Sequence, residues 1–321
     1  MNFELDEQQR DFAASIDAAL GAADVPSAVR AAGDGDIAPM AAVWSTLTDL
    51  GVPALMVAEE YDGIGAHPVD LAVACERLGY WCVPGPVAES IAVAPILLAK
   101  DERSAALAAG ELIVTAAIAP DQPRAVNADF AGLTLVGADG RVGEAAVGER
   151  HASVDPSRAL FDVTPAGNDW SADTERAAAF GALATSACLI GAAQAMLDTS
   201  VAYAKQRSQF GRVIGSYQAI KHKLADIHIA VELARPLVYG AALALAEDAT
   251  TTRRDVSAAK TAAADAGLLA ARNSLQTHGA IGFTQEHDLS LLLLRTQALR
   301  AAWGDPTLHR RRVLEELADH E

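Results

Sequence analysis

Residues Tyr203–Gln218 read YAKQRSQFGRVIGSYQ, and the rest of the chain is interpreted outward from them. The stretch is a polar, glycine-containing break between two long runs with helical apolar spacing. From position 205 to 223 the cations are Lys205, Arg207, Arg212, Lys221 and Lys223, with no Asp or Glu among them. The whole chain carries a formal net charge of -17. A basic island in so acidic a protein points to one specific anion, not to general polyanion attraction. The competing reading is a solvated helix end followed by a turn.

Composition narrows the class. At 321 residues the chain can form one large domain or two to three packed ones. Hydrophobic residues make up 51% and aromatics only 5%, a balance that with abundant alanine favours closely packed helices. The acidic excess argues against nucleic acid and anionic membrane as partners. Cys75, Cys82 and Cys188 lack metal-ligand spacing and are expected as buried, reduced thiols of a cytoplasmic protein. The opening MNFELDEQQRDF has acids where a secretion signal needs cations, so none is expected. No uninterrupted apolar run approaches the ~18 residues of a membrane span, so no membrane is expected either.

The expected fold class is mainly α with a small β domain, in three parts. Residues 1–110 read as a helical domain. Helices are expected over Leu5–Leu20, over Ala41–Leu50 and, after a glycine-containing loop from Glu59 to Gly65, over Val69–Leu78 with Pro68 in its first turn. Glu59, Glu60 and Glu76 are expected as solvated carboxylates. Residues 111–169 change texture: ELIVTAAIA, GLTLVGADGRVGEAAVG and ALFDVTP read as strands and turns. Residues 170–321 read as a bundle of four helices, about Asp173–Gln206, one after the Phe-Gly turn, Val256–His278 and Glu286–Trp303. In the second of these, Ile220, Leu224, Ile227, Val231, Ala234, Val238, Ala241 and Leu245 form a packing seam, and Pro236 is expected to kink or divide it. His228 and Glu232 lie off the seam and are read as ordinary surface positions; no metal site is expected.

The stretch from Lys205 resembles the signature of acyl-CoA dehydrogenases. In that family an Arg-x-x-Phe-Gly segment joins two helices of the C-terminal bundle and reaches across a dimer interface to the ADP end of a flavin held mainly by the neighbouring subunit. Arg207, Gln209, Phe210 and Gly211 sit on that motif, and Gln218 matches a following glutamine. A guanidinium suits phosphate oxygens, Gly211 permits a sharp turn and Phe210 can shield the flavin from water. Between the third and fourth bundle helices, QTHGAIGF resembles the family's Gln-x-x-Gly-Gly-x-Gly-Phe loop. Gln276, Gly279, Ala280, Gly282 and Phe283 fill it, with Ala280 in place of the second glycine. The block EEYDGIGAHPVDLAVACERLG resembles the family's N-terminal domain. The middle part is short and has no counterpart of the family's Thr-Glu-Pro or Trp-Ile-Thr-Asn flavin loops; APDQPR, from Ala119 to Arg124, keeps little of the first.

Family chemistry takes two hydrogens from an acyl-CoA: a carboxylate removes the α-proton and the flavin accepts hydride. In most members the base is a Glu after the last long helix, where this chain reads AAWGDPTLHRRR. Trp303 matches the family's Tyr, and Gly304 falls at the Glu. A second known position, counted back from Arg207 along one helix, is Gly181. Neither glycine can take a proton. Asp305 is the nearest substitute, one residue and roughly 100° round a helix away.

The resemblance therefore implies a non-catalytic subunit, similar to those of heteromeric α2β2 actinobacterial acyl-CoA dehydrogenases that act on steroid side-chain CoA thioesters. A longer homologue would hold the acyl-CoA and the FAD ring. This chain would supply Arg207, Gln209, Phe210, Gly211, Gln218, Gln276, Gly279, Ala280 and Gly282 to the FAD's ADP half. His309, Arg310, Arg311 and Arg312 would add a positive field, or simply end a helix. The alternatives are a self-sufficient dehydrogenase using Asp305 and a flavin-free acyl-CoA-binding scaffold.

Overall fold

The computed structural model describes residues 4–318. The chain begins with helix α1 (Glu7–Ala22), opened by a capping box in which Asp6 accepts from the Gln9 N–H and the Gln9 side chain accepts in return. Helix α2 (Val25–Gly33) is absent from the sequence reading. Its start is signalled by Asp24, whose carboxylate accepts from Ser27 N–H, and by Pro26 in the first turn. Helices α3 (Ala38–Asp49) and α4 (Pro68–Tyr80) follow. A π-helical turn (Ala88–Val93) runs into α5 (Ala94–Leu97), and α6 (Arg103–Ala108) precedes the sheet.

Five strands come next: β1 (Val114–Ile118), β2 (Ala125–Val126), β3 (Leu133–Ala138), β4 (Arg141–His151) and β5 (Leu160–Ser171). They pair in the order β1-β3-β4-β5-β2, with β1 parallel to β3 and the other neighbours antiparallel. The strand segments expected from β-branched patterning are all present.

The remainder is helical: α7 (Thr174–Gln206), α8 (Gln218–Ala246), α9 (Thr252–His278), α10 (Leu289–Ala301) and α11 (Pro306–Ala318). Helix α7 is apolar all round because it is the central element, touching α4, α8, α9 and α10. Its approach to α4 is backbone to backbone. A Cβ on Gly191 would lie 1.8 Å from the Glu76 carbonyl oxygen, and one on Gly79 would lie 2.1 Å from that of Cys188. The seam on α8 is buried from Ile227 to Leu245, while Ile220 and Leu224 are half-buried.

Several expectations need correction. Of the two outcomes expected of Pro236, division does not occur, since α8 runs unbroken through it; the residue sits off the seam, whose packing outweighs one missing hydrogen bond. The fourth bundle helix stops at Ala301, and Pro306 starts a further one. By length and composition α7 and α8 could each cross a membrane, because alanine runs broken by single polar residues pass that test. Burial of 94% of the apolar window of α7 inside the protein accounts for its hydrophobicity as core. Glu76 is not solvated: it is buried and pairs with Arg235 at 3.1 Å. The three cysteines are buried and free.

One buried guanidinium joins all three parts of the chain. Arg295 of α10 pairs with Asp155 from the β4–β5 connection, donates to Ser157 Oγ at 3.0 Å and donates to the Val83 carbonyl beyond α4 at 2.6 Å. Burial pushes the Asp155 carboxyl up, but Arg295 beside it outweighs burial and holds it below the ordinary 3.8. The pair therefore stabilises the fold fully above that value and loses its contribution as pH falls through the lowered one. Asp155→Ala strands a buried charge and is expected to cost about 3–5 kcal/mol in urea unfolding; a loss under about 1 kcal/mol would show that the guanidinium is satisfied without it.

Candidate functional site

The stretch Tyr203–Gln218 leaves α7 at Gln206 and folds back at once. Strand β6 (Ser208–Gln209) pairs with β7 (Arg212–Val213) around Phe210 and Gly211. Both turn residues have positive φ, 53° at Phe210 and 83° at Gly211, as a tight type I′ hairpin requires. Glycine suits that conformation; a phenylalanine in it is an outlier that costs of order 1–3 kcal/mol. Phe210 is also 92% exposed. The Tyr217 hydroxyl donates to the Gln209 carbonyl at 3.2 Å, and Arg212 lies 3.9 Å over the Tyr217 ring, so the hairpin is held from beneath.

The second loop, Gly279–Phe283, is a 3-10 turn that follows α9. Gln276, Gly279, Ala280, Ile281 and Phe283 are exposed, and only Gly282 is buried, against His278 and Leu289. The two loops are joined by a contact that sequence reasoning missed. Tyr203 in the last turn of α7 stacks on His278 at 4.4 Å, and His287 meets the same imidazole edge-on at 4.9 Å. The exposed residues Arg207, Gln209, Phe210 and Gly211 thus leave one side of this stack, and Gly279, Ala280 and Phe283 leave the other. Gln218 is exposed at the start of α8. Among the described residues, no ion pair joins Lys205, Arg207, Arg212, Lys221 or Lys223 to a carboxylate. Together they make a cationic, aromatic-tipped surface suited to an anion with a flat attached group.

The other end of the bundle is built differently. Trp303 and Gly304 link α10 to α11 with φ of 54° and 92°. The Trp303 indole is fully buried and lies against Gly181, where an added Cβ would stand 2.4 Å from ring atom Cδ2. Its Nε1–H donates to Glu89 Oε1 at 3.0 Å, its backbone N–H to Gln122 Oε1 at 3.2 Å, and its carbonyl accepts from His309 Nε2 at 2.9 Å. The Gly304 carbonyl accepts from the buried Lys260 Nζ at 2.8 Å. Burial pulls the Lys260 ammonium down to about 7 and the His309 imidazole down to about 4.

These contacts bear on the remaining candidate residues. Asp305 is exposed, and its carboxylate accepts from Leu308 N–H at 2.8 Å as the cap of α11. The basic run at 309–312 makes no free field: His309 is buried, Arg310 pairs with Asp265, Arg311 with Glu315 and Arg312 with Asp121. His228 is exposed and Glu232 pairs with Arg235. Glu149, His151 and Asp162 bring possible metal-ligand atoms within 4.8 Å of one another on the β4–β5 surface. Asp162 is already engaged by Arg124 at 2.8 Å and His151 at 2.7 Å.

The Trp303–Gly181 contact gives a double-mutant test. Gly181→Ala should cost about 1–3 kcal/mol by overpacking and Trp303→Ala about 3–5 kcal/mol by leaving a cavity. The double variant should lose measurably less than their sum in urea unfolding, because the new methyl enters the vacated space. Strict additivity would mean that the two side chains do not meet.

Comparison with known proteins agrees with the geometry. Residues 6–103 match the acyl-CoA dehydrogenase N-terminal domain model and residues 170–318 the acyl-CoA dehydrogenase C-terminal domain model. The chain is 32% identical over 298 residues to the acyl-CoA dehydrogenase IpdE2 of Mycolicibacterium smegmatis, covering 91% of this chain and 93% of that protein. Its fold superposes on a chain of the ChsE4–ChsE5 complex from Mycobacterium tuberculosis with a TM-score of 0.86 at 22% identity, over 99% of both chains. The steroid ACAD Tcur3481–Tcur3483 gives 0.85 at 20% identity, over 98% of both. With both helical regions matched and most of its length aligned to a relative, the chain belongs to the acyl-CoA dehydrogenase family, whose members are flavin-dependent oxidoreductases.

Proposed function

We propose that this chain is the non-catalytic subunit of a heteromeric acyl-CoA dehydrogenase. It grips the ADP half of an FAD whose ring, acyl-CoA substrate and proton acceptor belong to a longer partner homologue, in a cytoplasmic α2β2 assembly. The observation that carries this reading is the packing of Trp303 on Gly181. Two positions where the family keeps its base are glycines here; the Trp303 indole lies on Gly181, and His309 stands where a side chain on Gly304 would go. A carboxylate at Gly181 would collide with that indole, and Asp305 is committed to capping α11.

The residues of the two loops fit the nucleotide tail of the cofactor. Arg207 offers a fork of N–H donors for pyrophosphate, Gly279 and Ala280 leave backbone open to a close ligand, and Phe210 and Phe283 offer exposed rings to cover a planar group. When bound, the flavin supplies hydride acceptance in the α,β-dehydrogenation. This chain's share is to orient its tail, exclude water there and complete the helical core of the assembly. Two structural neighbours are a two-protein complex and a steroid ACAD, which supports a heteromer and makes a steroid side-chain CoA thioester the candidate substrate.

The test is spectroscopic. Purified alone, the chain is expected to be colourless and inactive; co-expressed with a longer homologue that carries the base glutamate, it is expected to give a yellow, active complex. Stoichiometric flavin with turnover in the isolated chain would overturn the reading, and so would acyl-CoA binding that needs no flavin-bearing partner. Within the complex, Phe210→Gly should lower flavin retention about tenfold or more. The same change should leave the isolated chain at least as stable to urea, because it relieves a left-handed phenylalanine.

A further inference from the structure

His278 is the last residue of α9 and is 5% exposed. Nδ1 lies 2.9 Å from the Ser274 carbonyl. A carbonyl only accepts, so Nδ1 carries the proton, and in the neutral ring Nε2 is a bare lone pair. That Nε2 is buried and has no hydrogen-bond partner. A second proton placed there would be a buried charge facing nothing that accepts it. The titratable groups facing the ring are Tyr203 from α7 and His287 from the connection to α10. His287 Nδ1 accepts from Leu289 N–H at 3.1 Å, so that imidazole brings its own proton on Nε2 and no negative charge. Among the described residues, no carboxylate pairs with His278.

The position of the ring matters as much as its chemistry. Tyr203 stands in the last turn before the Arg207–Gly211 hairpin, and His278 directly precedes the Gly279–Phe283 turn. Gly282 of that turn packs against the His278 side chain so closely that an added Cβ would stand 2.9 Å from it. We propose that His278 is the positioning residue that holds the two loops in register, and that it does so only while its ring is neutral. The brace is a property of this chain; that it positions a nucleotide tail rests on the function proposed above.

The direction of the pH effect follows. Burial pulls the His278 imidazole below its ordinary 6.5, and His287 adds to this, against the Ser274 carbonyl. A depressed histidine leaves the brace intact above 6.5 and weakens it as acidification protonates the open form in preference to the closed one. Both loops should loosen together.

Amide hydrogen exchange on the full chain tests this, with times corrected for intrinsic rates, at about pH 7.5 and about pH 5.5. In the wild type, protection of segments 207–213 and 279–287 should fall together at the lower pH, and by the same factor in both. His278→Phe keeps a ring for Tyr203 but cannot take a proton, and should abolish the pH response. Tyr203→Leu should loosen both segments already at the higher pH. A pH response that persists in His278→Phe, segments that respond separately, or a wild type indifferent to pH would each overturn the proposal. Should His278→Phe lose protection in α4 as well, the wild-type His278 ring resonance decides: its titration must coincide with the loosening, and a mismatch sinks the idea. ADP, added to the complex with the longer homologue after its flavin has been stripped, serves as the probe of the ligand. If it protects both segments, brace and cofactor reading stand together. If the pH response is as expected and ADP at saturating concentration has no effect, the brace stands and the cofactor reading falls.

Discussion

A single arginine in the interior ties the architecture together. Arg295 reaches the end of the N-terminal helices through Val83, the sheet through Asp155 and Ser157, and belongs itself to the bundle. A guanidinium offers its donors in one rigid plane, so satisfying it fixes three segments in one geometry. The sheet is small and its outer hairpin solvated; this anchor acts together with the Gln122–Trp303 and Asp121–Arg312 contacts to fasten it to the bundle. Both ends of the bundle depend on α10 being held at this depth.

From α10 the consequences run in opposite directions along the helix. Toward its start, the connection from α9 carries His287 and the Gly279–Phe283 turn to the surface, where they meet the end of α7. Past its finish, Trp303 turns inward with a left-handed backbone. It is fastened by Gln122, Glu89 and His309, with Lys260 on the next carbonyl. So one end of the bundle is an open, cationic, aromatic surface, and the other is closed by buried polar groups paired within the chain, except that Glu89 Oε2 is buried without a hydrogen-bond partner. The asymmetry is what the proposed subunit role would require, with recognition at the rim and a filled interior.

Much of this was legible in the sequence, for identifiable reasons. The α8 seam repeats over many residues, so periodicity found its buried face; the strands are rich in β-branched residues and bounded by glycine. The Arg-x-x-Phe-Gly loop stood out because its cations sit in an acidic chain. What was hidden depends on contacts between distant residues. Nothing near Tyr203 reveals that it stacks on His278, and nothing near Gly181 reveals that Trp303 fills the space above it. Helix α2 was missed because it is short, although Asp24 and Pro26 were there to mark its start. Whether the run at 310–312 formed a free basic field or a helix end stayed open because Asp265 and Asp121 reach Arg310 and Arg312 only on folding, although Glu315, the partner of Arg311, lies one turn along the same helix.

The exposure of Phe210 and Phe283 has a consequence for how such a chain is handled by the cell. Two bare aromatic rings beside unpaired cations form a sticky face, and an unassembled copy would offer it to chaperones, proteases and its own kind. On the function proposed above, synthesis in step with the partner that covers this face would be a condition of its survival, and an imbalance in dosage would be felt first as aggregation or turnover of the orphan.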